Sequence, residues 1–220
     1  MLRPRIEFWY EFASSYSYLS VMRVEALADA AGVDIDWRPF LLGPVFLALG
    51  WNDSPFNIYP PKGRYMWRDL SRLADKYDLP FRVPSRFPRD GLLAARVALL
   101  GADAGWIAPF SRDVMRANFA DDRDIGEPTV VAEILSGLGL PAGELLAAAL
   151  VEDNKIALRR QTEQATVHGM FGAPSFRVGE ELFWGNDRLE DALEWASRGA
   201  PARAGGEPDA PHEGRPPSNR

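Results

Sequence analysis

Residues 6–12 (Ile6-Glu7-Phe8-Trp9-Tyr10-Glu11-Phe12) alternate aromatic or aliphatic positions with acidic ones, the period-two pattern of a strand. Ala13-Ser14-Ser15 reads as a turn and a helix start, because a serine oxygen readily accepts a free amide of the first turn. Tyr18, Leu19, Met22, Val24, Leu27 and Ala31 then follow a roughly helical spacing up to Gly32, and residues 33–39 predict a second strand. Two strands joined by one helix form a β-α-β unit and point to an α/β sheet.

The pattern then changes. Residues 41–59 are aromatic and broken by Gly43, Pro44, Gly50 and Pro55 into loop and short helix. Residues 63–77 predict an amphipathic helix through Tyr65, Met66, Leu70, Leu73 and Ala74, and residues 79–88, with three prolines, a connection. Helical patterns cover 91–104, 108–121, 127–138 and 142–169. Strand signals return at 174–178 and 181–184, with Gly179-Glu180 as hairpin turn chemistry. Asn186-Asp187 cap a last helix over 188–197. From Gly199 onward Pro, Gly, Ala and charge carry no periodicity, which predicts a disordered tail over 199–220. The element order gives an α/β, thioredoxin-like fold with a large all-helical insertion. Residues 1–40 and 169–198 form its discontinuous thioredoxin-like domain, and 41–168 the inserted helical domain.

Composition narrows the chemistry. With 46% hydrophobic residues in 220, the chain can bury a sizeable core. A net charge of −6 and no basic stripe argue against nucleic acid as a partner. There is no cysteine, which excludes disulfides, thiolate zinc sites and a CxxC redox centre. Of two histidines, His212 lies in the tail. A histidine metal site or a Ser-His-Asp triad would rest on His168 alone, so no metal is expected. Charges interrupt the apolar residues of the N-terminus, unlike a signal peptide. No apolar run approaches the ~20 residues that span a bilayer. The expectation is a cytoplasmic protein with no membrane partner.

Four stretches can carry function, and each has a plainer reading beside it. Ser14 is either an N-cap or a hydrogen-bond donor to a ligand-borne thiolate. In Phe171-Gly172-Ala173-Pro174-Ser175-Phe176, Pro174 is a candidate cis-proline at a strand start, or a plain turn proline. Beside a cis-proline the backbone of Ala173 is open to an extended peptide pairing as an added strand. In Trp184-Gly185-Asn186-Asp187-Arg188, Asn186 and Asp187 only cap a helix, or Asp187 and the free amides beside it hold an amino-acid-like head group. Lys62 and Arg64, in the aromatic region that also contains Asn52, are two surface charges or a cation pair for an aromatic carboxylate. His168 reads as a cation suited to a helix C-terminus.

The run Phe8-Trp9-Tyr10-Glu11-Phe12-Ala13-Ser14-Ser15-Tyr16-Ser17-Tyr18-Leu19, with Lys62-Gly63-Arg64-Tyr65-Met66, Gly169-Met170-Phe171-Gly172-Ala173-Pro174-Ser175-Phe176 and Trp184-Gly185-Asn186-Asp187-Arg188-Leu189 in the same order, resembles the 2-hydroxychromene-2-carboxylate isomerase family. That family is kin to kappa-class glutathione transferases and DsbA-like oxidoreductases. The likeness covers roughly residues 5–197, with Ser15 departing from the proline many relatives carry there. It implies a homodimer that binds glutathione and a small aromatic carboxylate substrate. It implies further that Ser14 faces the glutathione sulfur and Ala173, before Pro174, pairs with the glutathione backbone. Asn186 and Asp187 would hold the γ-glutamyl end, and Asn52 and Lys62 line the site. The expected reaction is isomerisation of 2-hydroxychromene-2-carboxylate and trans-o-hydroxybenzylidenepyruvate by reversible thiolate addition, bond rotation and elimination, with Lys62 or Arg64 on the substrate carboxylate. A kappa-like transferase or peroxidase, and a non-catalytic glutathione-binding module, are the alternatives.

Overall fold

A computed structural model describes residues 3–199 of the chain; the tail expectation falls almost wholly on residues 200–220, outside them. β1 (Arg5–Tyr10) leads through α1 (Ser15–Val21) and α2 (Val24–Ala31) to β2 (Asp34–Pro39). α3 (Leu42–Ala48), α4 (Pro55–Ile58), α5 (Pro60–Tyr77), α6 (Leu92–Leu100), α7 (Ile107–Phe119), α8 (Pro128–Gly137), α9 (Ala142–Ala149) and α10 (Glu152–Val167) follow with no strand among them. β3 (Ser175–Val178), β4 (Glu181–Trp184), a 3-10 turn (Asn186–Arg188) and α11 (Leu189–Ser197) complete the described chain. No helix of the described residues is long and apolar enough to cross a membrane.

The sheet has the order β2-β1-β3-β4. β2 runs parallel to β1, β3 antiparallel to β1, and β4 antiparallel to β3. Because Trp9 pairs with Ser175, the chain leaves β1 at the same sheet end where residues 172–174 enter β3. This register alone brings the Ser14 turn beside Ala173 and Pro174.

Alternation along β1 sends Phe8 and Tyr10 into the larger core and Trp9 into a second cluster with Phe40, Val45, Ala165 and Met170. Phe8 stacks on Tyr10 and on Phe176, each at 5.1 Å between ring centres, and meets Trp37 edge-on at 5.2 Å. Such pairs add about 0.5–1.5 kcal/mol each beyond the area they bury. The helices of 42–167 join the same core through residues such as Met66, Val97 and Phe110.

Two expected helices are each divided in two. The first breaks at Met22-Arg23, where Arg23 lies over the Tyr77 ring at 3.6 Å and bonds Asn186 and Glu190. The pattern over 142–169 breaks at Leu150-Val151, between α9 and α10. β1 also stops at Tyr10, two residues early, because the next carbonyls find other partners. The Glu11 carbonyl accepts the Ser14 N–H at 3.0 Å, and the Phe12 carbonyl accepts Asn118 Nδ2 at 3.0 Å.

The proline-rich connection has no regular structure, and its closing stretch is tied down by Arg89, 5% exposed. One guanidinium donates to the Asn118 and Arg123 carbonyls, to Asn118 Oδ1, to Ser85 Oγ, and to the Asp122 carbonyl and carboxylate. Asn118 in turn holds Phe12, so this cluster supports the turn that carries Ser14.

Candidate active site

Ser14 is the N-cap of α1 and uses its hydroxyl twice. Its Oγ accepts the Ser17 N–H at 3.3 Å and donates to the Ala173 carbonyl at 3.0 Å. The capping reading therefore holds, and the same atom also ties together two segments 159 positions apart in the chain. Ser14 and Ala173 are both partly exposed, whereas Pro174 is buried. The Ala173–Pro174 peptide is cis, and the Pro174 carbonyl accepts the Gly185 N–H at 2.9 Å.

Gly185 has φ +116°, and a Cβ there would lie 2.5 Å from Asp187 Oδ1. Gly185→Ala is accordingly expected to lower unfolding free energy by about 1–3 kcal/mol, measurable by urea denaturation. At Gly172, the Trp184 indole occupies the space a Cβ would need, and Trp184 meets the Phe171 ring at 4.7 Å. His168, at the end of α10, packs edge-on against Trp9 at 6.0 Å.

Asn186 and Asp187 point in different directions. Asn186 is 3% exposed, and its Oδ1 accepts from Ser20 Oγ at 3.1 Å and from Arg23 Nη1 at 3.3 Å. Its Nδ2 is buried with no hydrogen-bond partner among the described residues. Asp187 projects outward, its side chain 72% exposed and 3.3 Å from Arg188.

The wall opposite is α5. Ser15 Oγ donates to Met66 Sδ at 3.1 Å, and the Tyr16 hydroxyl donates to Asp69 Oδ2 at 3.0 Å. Burial, reinforced by the Asp69, Tyr65 and Asp187 side chains, raises the Tyr16 hydroxyl above its ordinary titration range. Lys62 is exposed, 5.7 Å from the Tyr59 ring centre, one helical turn before Met66 on the flank facing α1. Arg64, two residues on, points about 160° away round the helix axis. The structure thus separates the two cations that the sequence put side by side. Asn52 is exposed in the connection between α3 and α4.

Glu11 and Tyr16 escaped the sequence reading. Glu11 lies just before the Ser14 turn, and burial, with the Asp90 carboxylate adding to it, pushes its carboxyl up to about 8 against an opposing bond from the Ala13 N–H. The available signal was an acid three positions ahead of a candidate site serine.

Sheet order, a serine at the α1 N-terminus and a cis-proline turn facing it define a thioredoxin-like protein that cannot perform dithiol chemistry, having no cysteine of its own. The family model for the DSBA-like thioredoxin domain matches residues 5–194, and the chain belongs to that family. Within it, the chain is 33% identical over 189 residues to the 2-hydroxychromene-2-carboxylate isomerase of Sphingobium xenophagum, covering 84% of this chain and 94% of that protein. It is 25% identical over 200 residues to glutathione S-transferase kappa 1 of Caenorhabditis elegans, covering 84% and 88%. A solved 2-hydroxychromene-2-carboxylate isomerase superposes with a TM-score of 0.81 at 23% identity, over 88% of this chain and 95% of that one.

Proposed function

We propose that the protein is a glutathione-dependent isomerase of 2-hydroxychromene-2-carboxylate and trans-o-hydroxybenzylidenepyruvate type substrates, which returns glutathione unchanged. The carrying observation is the 3.0 Å bond from the Ser14 hydroxyl to the Ala173 carbonyl. It puts a hydroxyl donor and an open backbone edge together in a chain that has no sulfur nucleophile of its own. The domain division at 40 and 169 fits this reading. The sheet unit supplies Ser14, Ala173, Pro174, Asn186 and Asp187, and the helical insertion supplies Lys62 and Asn52.

A serine hydroxyl has one proton to give. In the free protein it goes to Ala173. When glutathione lies along Ala173 as an added strand, its own cysteinyl N–H takes that carbonyl, and the Ser14 proton turns to the sulfur. A neutral hydrogen bond is exchanged for a charge-assisted one, roughly twice as strong. A free thiol titrates at about pH 8.5, and lowering it by one unit needs about 1.4 kcal/mol, which one such exchange supplies. Asp187 holds the γ-glutamyl ammonium. Asn186 acts from beneath, fixing the turn through Ser20 and Arg23.

The thiolate then forms a C–S bond at the β-carbon of the ring-opened, unsaturated keto acid, and the alkene electron pair moves to the ketone oxygen. The former double bond rotates as a single bond. The pair returns, the C–S bond breaks and the thiolate leaves, so no proton or electron is lost. Lys62 faces α1 and holds the substrate carboxylate. Lys62→Ala is expected to raise KM for the aromatic acid about tenfold, and Arg64→Ala to leave it within about twofold. Equal effects in steady-state kinetics would contradict the assignment.

Isomerisation assayed with and without glutathione tests the activity. A second reading, favoured by the kappa-class relative, is a transferase that consumes glutathione on an electrophile or peroxide. Loss of free thiol during turnover would select it. The proposal includes a homodimer working in a glutathione-containing cytoplasm.

A further inference from the structure

The helical pattern that begins at Ser15 is interrupted at Met22-Arg23, and from that break the Arg23 side chain reaches three other elements. Its Cζ lies 3.6 Å from the ring centre of Tyr77, the last residue of α5. Its Nη1 donates to Asn186 Oδ1 at 3.3 Å, and its Nη2 pairs with Glu190 in the first turn of α11. The side chain is 13% exposed. One half-enclosed guanidinium thus joins the α1–α2 break, the end of α5, the 3-10 turn and the start of α11.

Asn186 is the residue through which that turn is held. A guanidinium has donors only, so Arg23, together with Ser20 Oγ at 3.1 Å, fixes which end of the Asn186 amide faces them. The backbone has a second anchor in the Gly185 N–H, which donates to the Pro174 carbonyl at 2.9 Å. Asp187 comes next in the chain, its side chain 72% exposed and 3.3 Å from Arg188. A carboxylate this open takes its direction from the backbone beneath it, and that backbone rests on Asn186 and Gly185. Ser14 and Ala173 are held differently, by their own 3.0 Å bond and by the pairing of β1 with β3. The hydrogen bonds of the Arg23 side chain go to Asn186 and Glu190 instead.

We propose that Arg23 is a positioning residue that gives the site its preference for an α-amino group: braced on Tyr77 and Glu190, it holds Asn186 and so keeps the Asp187 carboxylate where the γ-glutamyl ammonium arrives. Arg23 itself touches no ligand. A charge-assisted bond needs its two atoms at about 2.7–2.9 Å, so a turn that is free to shift forfeits it. Lysine at position 23 would keep the charge but lose the planar fork that reaches Asn186 and Glu190 at once. The proposal rests on the glutathione reading and adds to it the device that makes the amino-acid end selective.

Calorimetric titration with two tripeptides tests it: glutathione, and glutaryl-cysteinylglycine, which is glutathione without the α-amino group. The native protein is expected to bind glutathione about tenfold more tightly than the analogue, the worth of one charge-assisted contact. Arg23→Met keeps a long side chain against Tyr77 but has no donor for Asn186. In that variant both tripeptides are expected to bind alike, at the level of the analogue. Arg23→Lys should fall between the two, and it supplies the reading if Arg23→Met does not fold. Glu190→Gln leaves the Nη1 bond to Asn186 in place and should keep most of the preference. A merely structural role would weaken both tripeptides by one factor and leave the preference at about tenfold. An undiminished preference in Arg23→Met, or in Arg23→Lys where that is the variant that folds, would overturn the proposal. A native protein that binds both tripeptides equally well would also overturn it, while leaving glutathione at Ser14. A native protein that binds neither would end the glutathione reading and the Arg23 assignment together.

Discussion

Ser14→Ala protein is expected to fold and to lose about 100-fold in glutathione-dependent kcat/KM. The magnitude is that of removing one donor aimed at a developing anion. Part of the change is structural, because Ser14 also accepts the Ser17 N–H as N-cap of α1, and losing a cap costs about 1 kcal/mol of stability. Ser14→Asn separates the two contributions. Asparagine caps as well as serine does, but its side-chain amide stands elsewhere, so stability should return while activity stays low. Recovery of both in Ser14→Asn would mean that Ser14 matters only as a cap. Unchanged turnover in Ser14→Ala would remove Ser14 from the chemistry.

Replacing Arg89 should have the largest effect on stability. Arg89→Ala strands the carbonyls of Asn118, Asp122 and Arg123 and the Asp122 carboxylate around an emptied, buried position. Breaking such a cluster costs about 3–5 kcal/mol, or roughly 10 °C in Tm for a chain of this size. Arg89→Lys should restore only part of it, since an ammonium brings three donors without the planar fork. The Asp122 carboxyl is held down at about 2 by the Ser85 N–H first and by Arg89 second. A depressed carboxylate stabilises the fold above its unfolded value and ceases to do so as pH falls through its folded value. The Asp122 contribution is therefore complete at neutral pH and disappears between about 4 and 2. Thermal unfolding followed by circular dichroism at pH 7 and at acidic pH checks both statements.

Element order was legible because the period of the apolar pattern changes where the structure changes. Residues 6–12 alternate and α5 repeats every three to four positions, and Gly179 turns the hairpin with φ +60°. The helix breaks at Met22-Arg23 and Leu150-Val151 were not legible. No proline or glycine marks them, and the first is occupied by side-chain bonds from Arg23 to residues over 160 positions away. The sequence puts Lys62 and Arg64 together at a helix start, but Pro60 already starts α5, so both residues lie on its circumference and diverge by about 160°. The resemblance implies Asn186 at the γ-glutamyl end, but a capping sequence does not reveal which way an amide turns, and here its side-chain carbonyl accepts from Ser20 and Arg23. Glu11 looked like one more acid in an alternating strand. Its enclosure depends on Gly91, brought over it by a connection that Arg89 organises.

The central claim is that the chain borrows its sulfur and holds it as a thiolate at Ser14. Titrating the ultraviolet thiolate absorbance of glutathione bound to the protein tests it most directly. The account predicts that the bound thiol titrates at least about one unit below the free value and moves back toward it in Ser14→Ala. A bound thiol that titrates like free glutathione in the native protein would contradict it.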